Sequence, residues 1–466
     1  MDKVVHFQLP VDNISHAKEF YSNVFGMKVL LISSNREHFP EPVFPLGAVY
    51  IANSLIHHGA DVRIFDAGLY SFPLYSLKKE LIRYKPDIIG LSLRNIDNAA
   101  YPSTRYYVPG YVKIMNTIRS LSKAPIVLGG SAFTIFPEEL MEYLGADMGI
   151  KGEGESAVSR FWKKGGKGIY EEMVSDPGDI SFPRNIDKIF PFFHYYRTIG
   201  IQTARGCPHR CIYCTYPLLE RTKKRPRLPY EIADEIEHLN KHFNKSDFFI
   251  VDSSFNSDEE HMAEVLEAII SRNLTIRFSC YLQPRIGDPS VFGLLKRAGC
   301  IAVDFGTDSG SPSIVHSLRK GFTVDDIRRV SQSCRKAGID FCHSLIFGAP
   351  GETPETIRET ITLMNEVSPK AVISMIGIRI YPGTEIARIA QEEGQLCSKE
   401  SLLKPRFYFG PLGPGRLSRE IFENISGRNW FFPGERDWSS SIGPRILRHF
   451  YTKGPLWRTF KTENIS

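Results

Sequence analysis

The stretch IGIQTARGCPHRCIYC, residues 199–214, decides how the chain is read. Its first part, IGIQTA (199–204), reads as a strand, and that strand runs directly into a loop carrying Cys207, Cys211 and Cys214. Five more strand-like runs follow: DFFIVD (247–252), IRFSCYL (276–282), AVDFGTD (302–308), DFCHSLIFG (340–348) and VISMIGIRIY (372–381). Helical stretches at 230–243, 258–272, 289–299, 323–337 and 354–367 separate them. A succession of βα units predicts a partial (β/α)6 barrel of the TIM type. Such barrels place their chemistry at the carboxyl ends of the strands, which is where the cysteine loop falls.

Thiolates suit zinc or iron–sulfur centres. Three thiolates on a cubane of four irons leave one iron open to a ligand from a substrate. Zinc needs a fourth ligand, for which His209 stands between the first two cysteines, and a disulfide strands one thiol. Cys280, Cys300, Cys334, Cys342 and Cys397 are scattered and are expected to be small buried apolar side chains.

Upstream, residues 27–165 alternate in the same way. KVLLIS (28–33), DVRIFD (61–66), DIIGLS (87–92) and PIVLGG (125–130) are strand-like, with amphipathic segments at 47–58 and 110–122. This predicts a doubly wound, Rossmann- or flavodoxin-like parallel sheet whose ligand lies beyond the carboxyl ends of its strands. A Pro-, Gly- and aromatic-rich stretch makes 166–196 a linker to the barrel at 197–400, and a C-terminal segment occupies 401–466. Residues 1–26 resemble the opening strand and helix of glyoxalase-type domains, but the rest of such a module does not follow. They are expected to be an extension without independent function, with His6 lacking metal partners.

At 466 residues, 42% hydrophobic and 24% charged, the chain has the composition of folded, multidomain protein. Eight cysteines are too few for a disulfide scaffold, which suggests a reducing cytoplasm. No signal pattern opens the chain, and no apolar run approaches the roughly 20 residues that span a bilayer. The net charge is +6, and residues 401–466 hold 11 Lys and Arg against 5 Asp and Glu. With Trp430, Trp438 and Trp457, this tail either caps the last domain or offers peripheral contact with an anionic membrane. No nucleic-acid partner is expected.

Cys-x3-Cys-x2-Cys with Tyr213 before the last cysteine resembles the radical S-adenosylmethionine (SAM) superfamily. The resemblance implies a 4Fe–4S cluster on Cys207, Cys211 and Cys214, whose fourth iron is chelated by SAM. It also implies SAM contacts from Tyr213, Arg285, Asp308, Ser309 and Gly348. Asp308 stands where the family usually has Glu, so its reach is shorter. Arg379 and Tyr381 would line the cavity, and Asp252 is either an acid/base group or a cap.

Residues 45–66, 85–98 and 125–155 together resemble the cobalamin-binding domain found ahead of such barrels. This implies that Pro45, Gly47, Ser92, Arg94, Gly129, Gly130, Gly152 and Glu153 surround cobalamin. The Asp-x-His-x-x-Gly motif that supplies histidine to cobalt is absent. Arg94 is therefore the candidate neighbour of the lower cobalt face, unless it pairs with Asp97 or Glu153.

Together the resemblances imply a cobalamin-dependent radical SAM enzyme methylating an unactivated carbon. Its substrate would be a small molecule or a lipid, and its reductant a one-electron donor of flavodoxin or ferredoxin type. Cyclisation, ring contraction or carbon–carbon coupling without methyl transfer would use the same cofactors, and a non-enzymatic reading is a cobalamin-binding sensor module. No side chain beyond the cofactor set is named as catalytic.

Overall fold

The computed structural model describes residues 26–38, 42–157, 167–174, 177, 180–398, 400–427, 429–434 and 454–459. The readings made for residues 1–25 and for Trp438 lie outside the described residues.

Six parallel strands form the first sheet: β1 (Lys28–Ser33), β2 (Asp61–Asp66), β3 (Ile88–Ser92), β4 (Ile126–Gly129), β5 (Met148–Gly152) and β6 (Gly168–Glu172). Their order is β2-β1-β3-β4-β5-β6. The central strands are apolar at successive positions because helices cover both faces. Leu30, Ile32, Ile89 and Leu91 join one core with the helices Pro73–Tyr84 and Val108–Arg119. Val29 and Leu31 point the other way, toward Leu46–His57. The chain leaves β1 for β2 on one side and then crosses to β3 on the other, so the switch point opens between β1 and β3.

The stretch read as a linker from residue 166 is structured. Gly168–Glu172 completes the sheet as β6. Beyond it, Ile180, Phe182, Ile189, Phe190, Phe193 and Tyr196 are buried in a core shared by Val29 of the first sheet and Ile199 and Phe248 of the barrel. Apolar residues this dense are more stable packed between the two units than exposed, so the segment is a wedge and not a tether.

The barrel strands are β7 (Thr198–Ile201), β8 (Asp247–Ile250), β9 (Arg277–Leu282), β10 (Cys300–Asp308), β11 (Asp340–Phe347) and β12 (Ala371–Ile376). They lie parallel in chain order, and β13 (Trp430–Phe431), from the C-terminal segment, adds beside β12. Val324–Ala337 and Pro354–Val367, two of the intervening helices, open on capping boxes at Thr323 and Thr353. The run read as one strand over 372–381 breaks at Gly377, after which Ile378–Arg379 pairs antiparallel with Phe407–Tyr408. Cys280, Cys300, Cys334 and Cys342 are buried as expected, whereas Cys397 is exposed.

The described part of the tail belongs to the barrel. Trp430 stacks near Phe347 and Phe432, and Trp457 is 5% exposed with its indole N–H donated to Asp304 at 3.1 Å. Trp457 is thus packed into the barrel, while Trp430 is half-buried. Among the described residues no helix is long and apolar enough to cross a membrane.

Buried ion pairs clamp the two units together. Asp97, after β3, meets Arg379 at 2.9 Å; Glu153 meets Arg225 at 2.6 Å; and Glu155 meets Arg205 at 2.7 Å.

Candidate active site

The cysteine loop begins where β7 ends. Asp252, past β8, accepts from the backbone N–H of Thr203 at 2.7 Å and from its hydroxyl at 2.5 Å. It is thus the cap that braces the strand's exit, and not a free acid or base. Arg205, next to the loop, grips Glu155 of the first unit. The loop closes on itself through Cys214 N–H to Cys211 C=O at 3.1 Å, and Cys207 N–H donates to Arg221 C=O at 3.1 Å. Cys207 is buried, while Cys211 and Cys214 are half-buried.

The donor set fits a polynuclear cluster. Burial pushes the Cys214 thiol up to about 12 and raises that of Cys211 as well, so thiolates here need a metal's positive charge to meet them. Among the described residues, no three His, Cys, Asp or Glu side chains converge tightly enough to hold a single ion. One zinc draws its sulfurs to within about 4 Å of each other, whereas a cubane, being several ångströms across, accepts thiolates spread around a loop. His209 is a poor fourth ligand. Burial, then Lys320, Arg285 and Lys224, lower its basicity, and the same cations repel a dication.

Lys320 is the residue that sequence reasoning missed. It is 4% exposed and forms an ion pair with Asp308 at 2.5 Å, while the Tyr213 hydroxyl donates to the same carboxylate. Lys320 also lies over the Tyr213 ring. Burial disfavours its charge, but Asp308 and Cys211 outweigh burial and hold it protonated. A fixed cation therefore stands beside the thiols, and the aromatic residue of the cysteine motif is tied to the end of β10. Nothing local in LRKGF (318–322) signals this, because the partners lie at 213 and 308.

The other residues read as SAM contacts divide. Arg285 is exposed, forms no ion pair among the described residues, and is near enough to His209 to lower its basicity. Ser309 is turned away: its hydroxyl meets Thr360 at 3.0 Å and accepts from Ser311 N–H at 3.1 Å. Gly348 has φ +98°, and an added Cβ would lie 2.9 Å from Leu417 and 3.2 Å from the Phe409 backbone. Its lack of a side chain lets the C-terminal segment pack against the end of β11.

A cavity of about 520 Å³ opens between the two units. The first sheet supplies Gly47, Ser92, Arg94, Gly129, Gly130, Gly152 and Glu153, and the barrel side supplies Thr215, Tyr216 and Tyr381. Pro45 is not among the lining residues and instead precedes the helix Leu46–His57. Glu153 reaches the rim, but its carboxylate is taken by Arg225, Arg205 and the Val174 N–H at 2.7 Å. Arg225 and Arg205 outweigh burial and hold that carboxyl below its ordinary range. Arg379 is likewise committed, to Asp97 and to Leu402 C=O. Both proposed partners of Arg94 are therefore engaged elsewhere, and Arg94 forms no ion pair among the described residues.

Gly129 and Gly130, alike in sequence, differ in space. An added Cβ at Gly129 meets nothing within 4 Å, whereas Gly130 has φ +93° and its Cβ would lie 2.6 Å from the Leu93 carbonyl. Gly129→Leu should therefore fill the cavity and weaken cobalamin binding by at least about tenfold while iron content stays unchanged. Gly130→Ala should instead destabilise the fold by about 1–3 kcal/mol. Equilibrium dialysis with hydroxocobalamin and thermal melting distinguish the two.

Residues 33–161 match the B12 binding domain and residues 201–364 match the Radical SAM superfamily. Residues 33–161 thus form a B12-binding domain ahead of a radical SAM domain at residues 201–364. It is 24% identical to the tryptophan 2-C-methyltransferase of Streptomyces laurentii, over 78% of this chain and 74% of that one. It is also 24% identical to the anaerobic magnesium-protoporphyrin IX monomethyl ester cyclase of Rubrivivax gelatinosus, over 82% and 72%. The radical S-adenosylmethionine methyltransferase TsrM of Kitasatospora setae superposes with a TM-score of 0.80 at 23% identity, over 93% of this chain and 98% of that one. Another structure of TsrM carries cobalamin and a [4Fe–4S] cluster.

Proposed function

We propose that this chain is a cobalamin-dependent radical SAM methyltransferase that places a methyl group on an unactivated carbon of a small molecule or lipid. One observation carries the reading: Thr215 and Tyr216, which directly follow Cys214, line the same cavity as Ser92, Arg94 and Gly129. The cysteine loop and the carboxyl edge of the first sheet thus face one space, and a substrate there is held between two cofactors. Bringing reactants together in this way is the largest contribution a protein makes to such chemistry.

Cys207, Cys211 and Cys214 would hold the 4Fe–4S cluster, and the groove at Gly129 would take the cobalamin. When bound, the cluster supplies the electron that cleaves SAM, and cobalamin carries the methyl group.

The chain's own residues position and neutralise. Lys320 offsets the negative charge of thiolates in a buried setting, and its grip on Asp308 orients Tyr213. Arg285 offers a guanidinium fork for the SAM carboxylate. Arg94, which stays protonated and is a poor metal donor, would keep the lower cobalt face free of a side-chain ligand. We place the enzyme in the cytoplasm, with a one-electron reductant of flavodoxin or ferredoxin type.

The test is anaerobic turnover with SAM labelled in its methyl carbon. Label in the product supports methyl transfer. A product of unchanged carbon count, formed with 5′-deoxyadenosine, would move the protein to the cyclase-like chemistry of its Rubrivivax gelatinosus relative.

A further inference from the structure

The inner face of the barrel carries partly exposed residues that none of the cofactor readings uses. Alternate residues of each strand point outward and are buried under helices, such as Val303 and Phe305 on β10 and Phe341 and His343 on β11, all at most 5% exposed. Residues of the opposite parity keep partial exposure: Phe249, Asp304, Ser344, Ile346, Ile373 and Met375, with Tyr281 at 43%. The register sets them side by side, with Tyr281 opposite Asp304, Asp304 opposite Cys342, and Ser344 opposite Ile373. At Gly306, one step nearer the carboxyl ends than Asp304, an added Cβ would meet nothing within 4 Å, so the face is open there.

Asp304 is the one carboxylate of that face among the residues just named. One carboxylate oxygen accepts from the Trp457 indole at 3.1 Å. The other is shielded from solvent and has no partner stronger than the Cys342 thiol. Its environment holds Trp457 and the Cys342 thiol, a weak donor, and no basic side chain influences it. Burial lifts its carboxyl to about 6. A shielded carboxylate without a counter-charge is costly unless a ligand provides one. Above it, Phe249 meets Tyr281 edge to face at 5.0 Å, and Ile346, Ile373 and Met375 complete an apolar wall. Trp457, packed with Ala302, Cys342 and Ala371, forms the floor.

We propose that Asp304 is a substrate-positioning residue, anchoring a protonated amine at the base of the barrel while the apolar wall holds the body of the same molecule. The substrate class is an amine with an apolar body. This deepens the functional reading above and rests on the barrel being the substrate chamber. Trp457 makes the C-terminal segment part of the specificity machinery, since it both floors the chamber and fixes the rotation of the carboxylate.

The test uses the full-length protein loaded with iron, sulfide and cobalamin, titrated calorimetrically at pH 7.5 with matched pairs: 2-phenylethylamine against 2-phenylethanol, and octylamine against octanol. In at least one pair the amine should bind at least about tenfold more tightly, a difference within the range of one charge-assisted hydrogen bond. Asp304→Asn should bring that ratio to within about twofold while iron, sulfide and cobalamin contents stay at wild-type levels. Asp304→Ser, which keeps an acceptor for Trp457 and removes the charge, should do the same. The proposal is overturned if neither amine is preferred by the wild type, or if the preference survives in either variant. Failure of the wild type to take up cluster or cobalamin would count against the functional reading instead, and the titration would still report on Asp304.

Discussion

Single replacement of Cys207, Cys211 or Cys214 by Ala should remove most of the bound iron and sulfide and abolish formation of 5′-deoxyadenosine. Two thiolates cannot hold a cubane that already relies on only three, and no spare donor stands by. His209, the nearest alternative, is surrounded by Lys320, Arg285 and Lys224, and the five remaining cysteines include four buried in the barrel. Metal analysis and visible absorption after anaerobic reconstitution measure the loss. A Cys211→Ala protein with wild-type iron content would show that the cluster sits elsewhere. Cobalamin binding should persist in all three variants, because the lining at Ser92, Gly129 and Gly130 lies on the first sheet and not on the cysteine loop.

Asp97→Ala should be among the most destabilising single substitutions outside the apolar core. Asp97 and Arg379 have side chains 0% and 3% exposed and meet at 2.9 Å across the boundary between the two units. Removing the carboxylate leaves a buried guanidinium unpaired, at a cost of about 3–5 kcal/mol. Because Asp97 also accepts from the Ala99 N–H at 2.7 Å, the loop after β3 that carries Arg94 should loosen as well. Thermal melting should show a lower first transition, and proteolysis should cut between the units before cutting within them. Asp97→Asn, which keeps the shape and loses the charge, should recover part of the stability. A melting curve unchanged in Asp97→Ala would mean that the interface does not depend on this pair.

Local pattern carries the barrel because each βα unit is short and self-contained. Pro354–Val367 was legible to the residue from Thr353 and Pro354, the strand end at 308 was legible to the residue, and the end at Phe347 was legible to within one position of the expected 348. The cysteine loop was legible because its three thiols are close in sequence. The last two strands of the first sheet were not: Met148–Gly152 is short and interrupted by Gly149, and Gly168–Glu172 is short, ends on two acidic residues and pairs only along one edge. A Pro- and aromatic-rich stretch reads as linker when its contacts are invisible, yet Phe182, Phe190, Phe193 and Tyr196 are buried on partners more than 100 residues distant, such as Phe44.

By itself, the sequence determined the order of the two units, the succession of the barrel strands and of the first four strands of the first sheet, the metal-binding character of the loop at 207–214, and the glycine-bordered edge of the first sheet. Those properties depend on neighbours within a few residues or on periodicity along one element. Only the tertiary structure decided which charged residues are free to act. Glu153, Arg379 and Asp252 looked as available as Arg94 and Arg285, but the first three are committed to partners brought by other elements. Lys320 acquired its place beside the thiols, and Asp304 its place on the inner face, the same way. The physical reason is that a charge becomes structural or functional according to whether folding supplies it with a counter-charge, and that counter-charge comes from a residue remote in sequence.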